Sequence, residues 1–283
     1  MTYKSTTLVA VVAALCATTA LAQNRAVSDL PIAIQMYTLR DHGTLEEQLA
    51  AVEAAGITAV ETVGFQNLPA DALKALLDTH GITAISTHAQ LADLRDNLDE
   101  VMAFNETLGN SYLTVPYLAE DMRPTDVAGW TALGEELKQI ANEIADDGMT
   151  LAYHNHDFEM VEYDGRTALE IMMEAAGPEV MAEIDLAWVD RGGLDPAEYL
   201  RRFDGRVFAV HVKDNAPEGE NTDQRGFAIP GQGTLDWASI LQAAEDAGVH
   251  WYIIEHDLPV DAAAVATEGA DFLVEMLPES ATR

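Results

Sequence analysis

Short apolar runs alternate with longer stretches in which apolar residues recur every three or four positions. The first pattern is typical of buried β-strands and the second of amphipathic helices. The eight predicted strands are residues 32–39, 59–64, 83–90, 112–118, 150–157, 180–189, 207–215 and 251–257. The predicted helices are residues 45–55, 70–80, 93–108, 127–147, 167–176, 196–203, 235–247 and 261–277.

Glycines occur at the positions where the predicted helices are expected to end. They are Gly56, Gly81, Gly109, Gly148 and Gly248, and glycine is the usual residue just past a helix C-terminus. Eight strand-helix units within residues 23–283 predict a single-domain α/β fold, a (β/α)8 TIM barrel. An open doubly wound sheet is the alternative, but no Gly-x-Gly-x-x-Gly follows the first strand.

The N-terminal segment has the pattern of a secretory signal peptide. Lys4 precedes an apolar run at residues 8–15, and a small-x-small site follows at residues 20–22. We therefore expect cleavage after residue 22 and a periplasmic or secreted protein with no membrane contact afterwards. The alternative, a membrane anchor, would need a longer apolar run. The only cysteine, Cys16, lies in this segment, so the mature chain would have no disulfide.

The charge of the chain limits its partners. The 283 residues include 48 acidic and 15 basic side chains, and the formal net charge is −33. A nucleic-acid backbone or an anionic membrane surface is therefore excluded as an expected partner. A small molecule is the expected partner instead.

Candidate ligands lie within the last four predicted strands. Residues 153–157 read Tyr-His-Asn-His-Asp, and comparable polar residues occur at 183–185, 211–214 and 255–257. Residues i and i+2 of a strand share a face, so His154 and His156 can point inward together. The same spacing relates the pairs His211/Lys213 and Glu255/Asp257. A lone histidine at a strand end is more often structural, but inward-facing ligands on four consecutive strands predict a metal site at the barrel mouth.

These motifs resemble the xylose isomerase-like barrels, a group that includes sugar isomerases, ketose epimerases, inosose dehydratases and metal endonucleases. The resemblance extends over almost all of residues 23–283. It is carried by residues 32–40, 153–159, 183–185, 211–214, 231–237 and 255–257.

The resemblance implies a metal site with Glu, Asp, His and Glu ligands on strands 5 to 8. Asp185, His211 and Glu255 match the last three, but His154-Asn155-His156 stands where many members have Glu-Asn-His. We therefore expect His154 to be the first ligand and His156 the acid/base. In the alternative, His156 binds the metal and His154 supports it. Mixed imidazole and carboxylate ligands suit one divalent ion of Mn, Fe, Co or Zn.

The resemblance also implies a reaction that begins with removal of a proton next to a carbonyl group. We expect a metal-dependent isomerase or epimerase that acts on an unphosphorylated sugar or keto-sugar through an enediolate. One alternative is a lyase that eliminates the aglycone from a 3-keto-glycoside, and another is a non-catalytic periplasmic sugar-binding barrel. His156 is the expected base, and Glu255 is a ligand that could also take the proton.

Several other residues are candidates with competing structural interpretations. Lys213 either stabilises the enediolate oxygen or protonates a leaving group, and its alternative is a structural ion pair. The polar loop 217–230 is long enough to be a lid. The resemblance is also compatible with a homo-oligomer. The expected substrate-binding residues are His88, Glu61, Tyr37, Glu159 and Trp188.

Overall fold

The computed structural model describes residues 25–283, so the predicted signal peptide lies outside the described residues. Eight parallel strands form a closed barrel in which each strand pairs with its neighbours along the chain. Closure is visible at Ile34, which is in register with Val60 on one side and Ile254 on the other. The strands are β1 Ile32–Gln35, β2 Ala59–Val63, β3 Thr83–His88, β4 Tyr112–Val115, β5 Thr150–His154, β6 Val180–Asp185, β7 Val207–Val212 and β8 Trp251–Ile254.

Helices cover the outside of the barrel between successive strands. Several begin at side-chain caps, as at Thr44, whose hydroxyl accepts from the Glu47 backbone while the Glu47 carboxylate accepts from the Thr44 backbone. The helices are α1 Leu45–Ala54, α2 Ala70–Thr79, α3 Leu91–Asp96, α4 Leu98–Leu108, α5 Val127–Ala145, α6 Ala168–Ala176, α7 Leu186–Arg191, α8 Pro196–Leu200, α9 Trp237–Asp246 and α10 Ala262–Met276. The predicted TIM barrel is therefore confirmed.

The strands end earlier than the apolar pattern predicts. The run 180–189 is strand only to Asp185, whose carboxylate then accepts from the Trp188 backbone N–H and begins α7. The predicted helix 93–108 is likewise divided into α3 and α4 at Asn97, which has a non-helical φ of −140°. The cap at Asp185 ends the strand, and the non-helical backbone at Asn97 divides the helix. The apolar pattern of the sequence continues across both positions and does not show either one.

The barrel interior changes from apolar to polar along the strand direction. Small and apolar residues fill its N-terminal part, including Ala33, Ala59, Ala152 and Ala209. Two positions further along the same strands, and hence on the same face, stand Gln35, Glu61, His154 and His211, all buried. The apolar layer thus forms a floor beneath a polar layer.

The loop after β7 is held by one buried carboxylate. Asp214 Oδ2 accepts hydrogen bonds from the backbone of Gly231 at 3.0 Å and Gly233 at 3.1 Å, and from Trp237 Nε1 at 2.7 Å. A Cβ on Gly233 would lie 2.2 Å from Asp214 Oδ1. The Gly231–Trp237 motif therefore closes the base of the predicted lid, which also pairs Asp214–Asn215 with Phe227–Ala228 in a short antiparallel ladder. Within residues 25–283, no helix combines the length and apolar character needed to cross a bilayer.

Candidate metal centre

Four buried side chains converge at the C-terminal end of the barrel. His154 ends β5, Asp185 ends β6, His211 lies in β7, and Glu255 follows β8 directly. Each offers one ligand atom, and these atoms all lie within 4.8 Å of one another. The four residues are those that the strand-end pattern and the resemblance nominated as ligands, and they are close enough to share one ion.

The two histidines of the β5 motif have different positions. His154 Nε2 faces Asp185 Oδ2 at 4.0 Å, whereas His156 is outside the four-residue group. Because β5 ends at His154, His156 belongs to the following loop and is only partly buried. Burial, and then the positive charge of Lys213, lower the pKa of His156 to about 3. The geometry thus corresponds to the arrangement with His154 as ligand and His156 beside it.

His211 contacts carboxylates through both ring nitrogens. Its Nδ1 lies 2.9 Å from Glu255 Oε2 and 3.9 Å from Asp185 Oδ2. Its Nε2 lies 2.9 Å from Glu61 Oε1 and 3.0 Å from Glu183 Oε1. If the ring proton is on Nε2, the lone pair of Nδ1 is free to bind an ion between His211 and the carboxylates of Glu255 and Asp185.

Glu183 and Gln35 belong to this polar layer, although neither was among the residues predicted for the site. Glu183 Oε2 accepts from Thr114 at 3.2 Å, and Gln35 Nε2 donates to Glu61 Oε1 at 2.6 Å. Glu183 lies two residues before Asp185 on the same strand, so the i/i+2 rule applied to His154 and His156 would have found it. Nothing in the sequence singles out Gln35.

His88 is placed between the two supporting carboxylates. Its Nε2 lies 3.0 Å from Glu61 Oε1 and 2.9 Å from Glu183 Oε1. Burial opposes protonation of His88, but the charge of Glu61 and the hydrogen bond to Glu183 raise its pKa to about 9. His88 is thus a buried cation that balances part of the negative charge beneath the ligands.

Lys213 supplies a second buried cation. Its Nζ lies 2.8 Å from Asp185 Oδ2 and 2.6 Å from Glu255 Oε2, and it also pairs with Asp257. Asp257 in turn accepts from Arg225 of the lid loop at 3.1 Å. The geometry thus agrees with the ion-pair interpretation of Lys213, and two of its three partners are proposed metal ligands.

The charges and unpaired atoms of the group fit a divalent ion. Asp185 Oδ2 is buried and accepts no hydrogen bond of acceptable geometry, although the Lys213 ammonium is near. Burial raises the pKa of Asp185 to about 6 against the opposing charge of Lys213. Around the ligand group, three cations face five carboxylates. The cations are Lys213, His88 and Arg225, and the carboxylates are Glu61, Glu183, Asp185, Glu255 and Asp257. If His154 and His211 are neutral, as metal ligands must be, the group has a net charge of −2.

A cavity of about 390 Å³ opens above the ligand group. This volume falls in the range of small-molecule sites. Of the predicted substrate-binding residues, His88 and Tyr37 line it, as do the proposed acid/base His156 and the ligand Glu255. The remaining lining residues are Val63, Gln90, Pro116, Tyr117, His154, Arg225 and Asp257.

Three predicted substrate contacts do not line the cavity. Glu61 is fully buried beneath His211. Glu159 is fully buried too, with its two oxygens accepting from Tyr153 Oη at 2.6 Å and from the His156 backbone at 2.8 Å. Trp188 does not line the cavity, since its ring packs against His156 at 5.2 Å and is 6% exposed. All three support residues of the site instead of facing the cavity.

Aromatic rings form one wall of the cavity beside His156. The Tyr117 ring meets the His156 ring edge-on at 5.1 Å, and the Phe158 ring stacks on His156 at 5.9 Å. The Arg123 guanidinium covers Phe158 at 3.7 Å. Across the mouth, Arg40 covers the Tyr37 ring at 3.8 Å. The two tyrosines are 40% and 39% exposed, so the rim offers apolar ring surface that is already held in place.

The fold is a closed (β/α)8 barrel, and four side chains that could hold one ion meet at its strand ends. Residues 49–276 match the sequence model of the xylose isomerase-like TIM barrel family. The chain belongs to this family, as its motifs predicted.

Individual relatives agree with this assignment. The chain is 27% identical to an inosose dehydratase of Geobacillus kaustophilus, over 84% of this chain and 90% of the relative. It resembles a solved sugar phosphate isomerase/epimerase of Parabacteroides distasonis with a TM-score of 0.72 and 19% identity, over 87% and 94% of the two chains. The solved IOLI protein, which contains a bound zinc atom, gives a TM-score of 0.68 and 18% identity over 88% and 98%. The prediction of an enzyme is thereby confirmed.

Proposed function

We propose that the protein is a divalent-metal-dependent lyase that removes the proton next to the carbonyl of a keto-sugar or ketocyclitol and expels a β-substituent. The observation that carries the proposal is the convergence of His154, Asp185, His211 and Glu255 beneath a cavity whose wall contains His156. Mixed imidazole and carboxylate ligands suit zinc, manganese, iron or cobalt, and the zinc of the IOLI protein supports the first of these.

Elimination is preferred to isomerisation or epimerisation, which the sequence placed first. The preference rests on the inosose dehydratase relative, which aligns with most of this chain. The first step is the same for all these reactions. An ion held by the four ligands would polarise the carbonyl oxygen and acidify the adjacent C–H bond.

In this proposal His156 moves the protons. Its ring lines the cavity, and an imidazole side chain can accept a proton and return it. The C–H bond next to the carbonyl then breaks, a C=C bond forms, and the β C–O bond breaks. His156 then transfers the proton that it took from carbon to the departing oxygen. A hydroxyl group therefore leaves as water, and an alkoxy group leaves as an alcohol.

A second candidate differs only in the leaving group. In a 3-keto-glycoside lyase the departing group is the aglycone, which is larger than a hydroxyl. The exposed rings of Tyr37 and Tyr117 at the mouth favour this candidate, since aromatic faces suit the apolar face of a ring substituent. The predicted export of the protein supports an unphosphorylated substrate in either case.

Hydrogen-deuterium exchange tests the proposal. Zinc- or manganese-loaded protein is incubated in D2O with an inosose and, separately, with methyl and aryl 3-keto-glucosides, and the reactions are followed by NMR. We expect deuterium next to the carbonyl and an olefinic product. A His156→Asn variant, which keeps the four ligands, should bind the ion and lose exchange. Metal-loaded protein that binds a substrate without exchanging any C–H proton would contradict the proposal and support the sugar-binding alternative.

A further inference from the structure

Lys213 is an unusual neighbour for a metal centre because its positive charge touches two proposed ligands. Its Nζ lies 2.8 Å from Asp185 Oδ2 and 2.6 Å from Glu255 Oε2. Only 1% of the side chain is exposed, and the rings of Trp188 and Phe227 lie 5.5 and 5.1 Å from Nζ. The ammonium is therefore confined between two aromatic rings and the ligand carboxylates.

The position of Lys213 does not suit a direct part in the reaction. It does not line the cavity, whereas His156, Glu255 and Asp257 do. Its ammonium group contacts Glu255 and Asp257, which do line the cavity. The two oxygens that it contacts are also oxygens of the ligand group, so ammonium and ion would compete for the same electron density.

We propose that Lys213 is a positioning residue that holds Asp185 and Glu255 together and weakens their hold on the bound ion. The inference rests on the proposed metal centre. An ammonium a few ångströms from a dication raises the free energy of the metal-bound state. The hydrogen-bonding ammonium of Lys213 also draws electron density from the carboxylate oxygens of Asp185 and Glu255. These oxygens would then donate less charge to a bound ion, so the ion would polarise a carbonyl group more strongly.

Asp257 carries the negative charge that cancels the positive charge of Lys213. It pairs with Lys213 on one side and with Arg225 of the lid on the other. Removing Lys213 and the Asp257 charge together therefore leaves the net charge of the site unchanged. This provides an isoelectric variant that separates local contacts from net charge.

Zinc affinity, measured by competition with a chromophoric chelator at neutral pH, tests the proposal without any substrate. In Lys213→Met we expect zinc to bind roughly ten- to a hundred-fold more tightly than in the wild type. Lys213→Arg keeps the charge, and its dissociation constant should lie closer to that of the wild type than to that of Lys213→Met. The metal-free Lys213→Met protein should melt at a lower temperature, because three buried carboxylates lose their shared cation.

Folded Lys213→Met protein with unchanged or weaker zinc binding would overturn the proposal. If that variant does not fold, Lys213→Met/Asp257→Asn is measured instead, and tighter binding is again expected and unchanged or weaker binding again overturns it. The test is independent of turnover. If the wild-type protein binds zinc but exchanges no substrate proton, the proposed function is contradicted. The zinc dissociation constants of the wild type and the Lys213 variants still decide the present inference.

Discussion

His211 Nε2 lies 2.9 Å from Glu61 Oε1 in the fully buried layer beneath the ligand group. Burial would raise the pKa of Glu61, but the charge of His88 and the hydrogen bond from His211 hold it below its ordinary value. Glu61 thus stays ionised, and its carboxylate is positioned to accept a hydrogen bond from His211 Nε2. A proposed metal ligand is therefore contacted by a carboxylate that does not itself line the cavity.

This relationship predicts the effect of Glu61→Gln. The substitution keeps the size of the side chain but removes the charge that orients His211. We expect zinc affinity to fall about ten- to a hundred-fold, as is usual for partners of metal-bound histidines. The chelator competition assay measures it, with the exposed Glu46→Gln as the matched control. Equal affinities in the two variants would contradict the orienting role.

The β5 motif predicts opposite behaviour for its two histidines. His154→Ala should lose stoichiometric metal because it removes one of the four ligands. His156→Ala should retain the metal and lose substrate proton exchange. Metal analysis and NMR exchange on both variants measure the two properties separately. Metal loss in His156→Ala with retention in His154→Ala would establish the reversed assignment.

Glu159 predicts a pH dependence of stability. Burial raises its pKa from 4.5 to about 7 in the folded protein. Between these values the folded state binds a proton that the unfolded state has released, so the free energy of unfolding falls as pH rises from about 4.5 to 7. The loss amounts to roughly 3 kcal/mol and is complete above the folded pKa.

Glu159→Gln should remove this contribution. The glutamine mimics the protonated acid, since its amide can donate to Tyr153 Oη while its oxygen accepts from the His156 backbone. Urea unfolding at several pH values, with exposed Glu162→Gln as control, gives the difference between variant and wild type. A pH profile parallel to that of the wild type would refute the assignment of Glu159.

Asp214→Asn should destabilise the loop that carries the predicted lid. Both oxygens of Asp214 accept only from N–H donors, including Gly233, Leu235 and Trp237. An amide nitrogen would face some of these donors, and we expect a loss of about 2–4 kcal/mol. Urea unfolding and limited proteolysis of the loop measure it against exposed Asp223→Asn. Unchanged stability and unchanged cleavage would mean that Asp214 does not anchor the loop.

The order of the strands explains why the sequence could predict the ligand group. Consecutive strands are neighbours in a (β/α)8 barrel, so polar residues after strands 5 to 8 must meet at one end of it. The spacing of two residues further indicated which side chains share the inner face. His154, Asp185, His211 and Glu255 follow from these two rules together with the family pattern.

The same rules fail where a strand has already ended. Glu159 lies in the loop after β5, and its carboxylate turns back to Tyr153 and to the His156 backbone. Its burial depends on that loop conformation, which strand periodicity does not describe. Trp188 was expected at a strand end but lies in α7, where the Asp185 cap directs the chain into a helix.

Metal content is the measurement that tests the account most directly. Protein comprising residues 23–283 is purified without a metal-affinity tag and analysed by elemental mass spectrometry beside Asp185→Ala. The account predicts close to one equivalent of zinc, manganese, iron or cobalt in the wild type, or after reloading, and its loss in the variant. Folded wild-type protein that contains no divalent metal and cannot be loaded with any of these ions would contradict the metal centre.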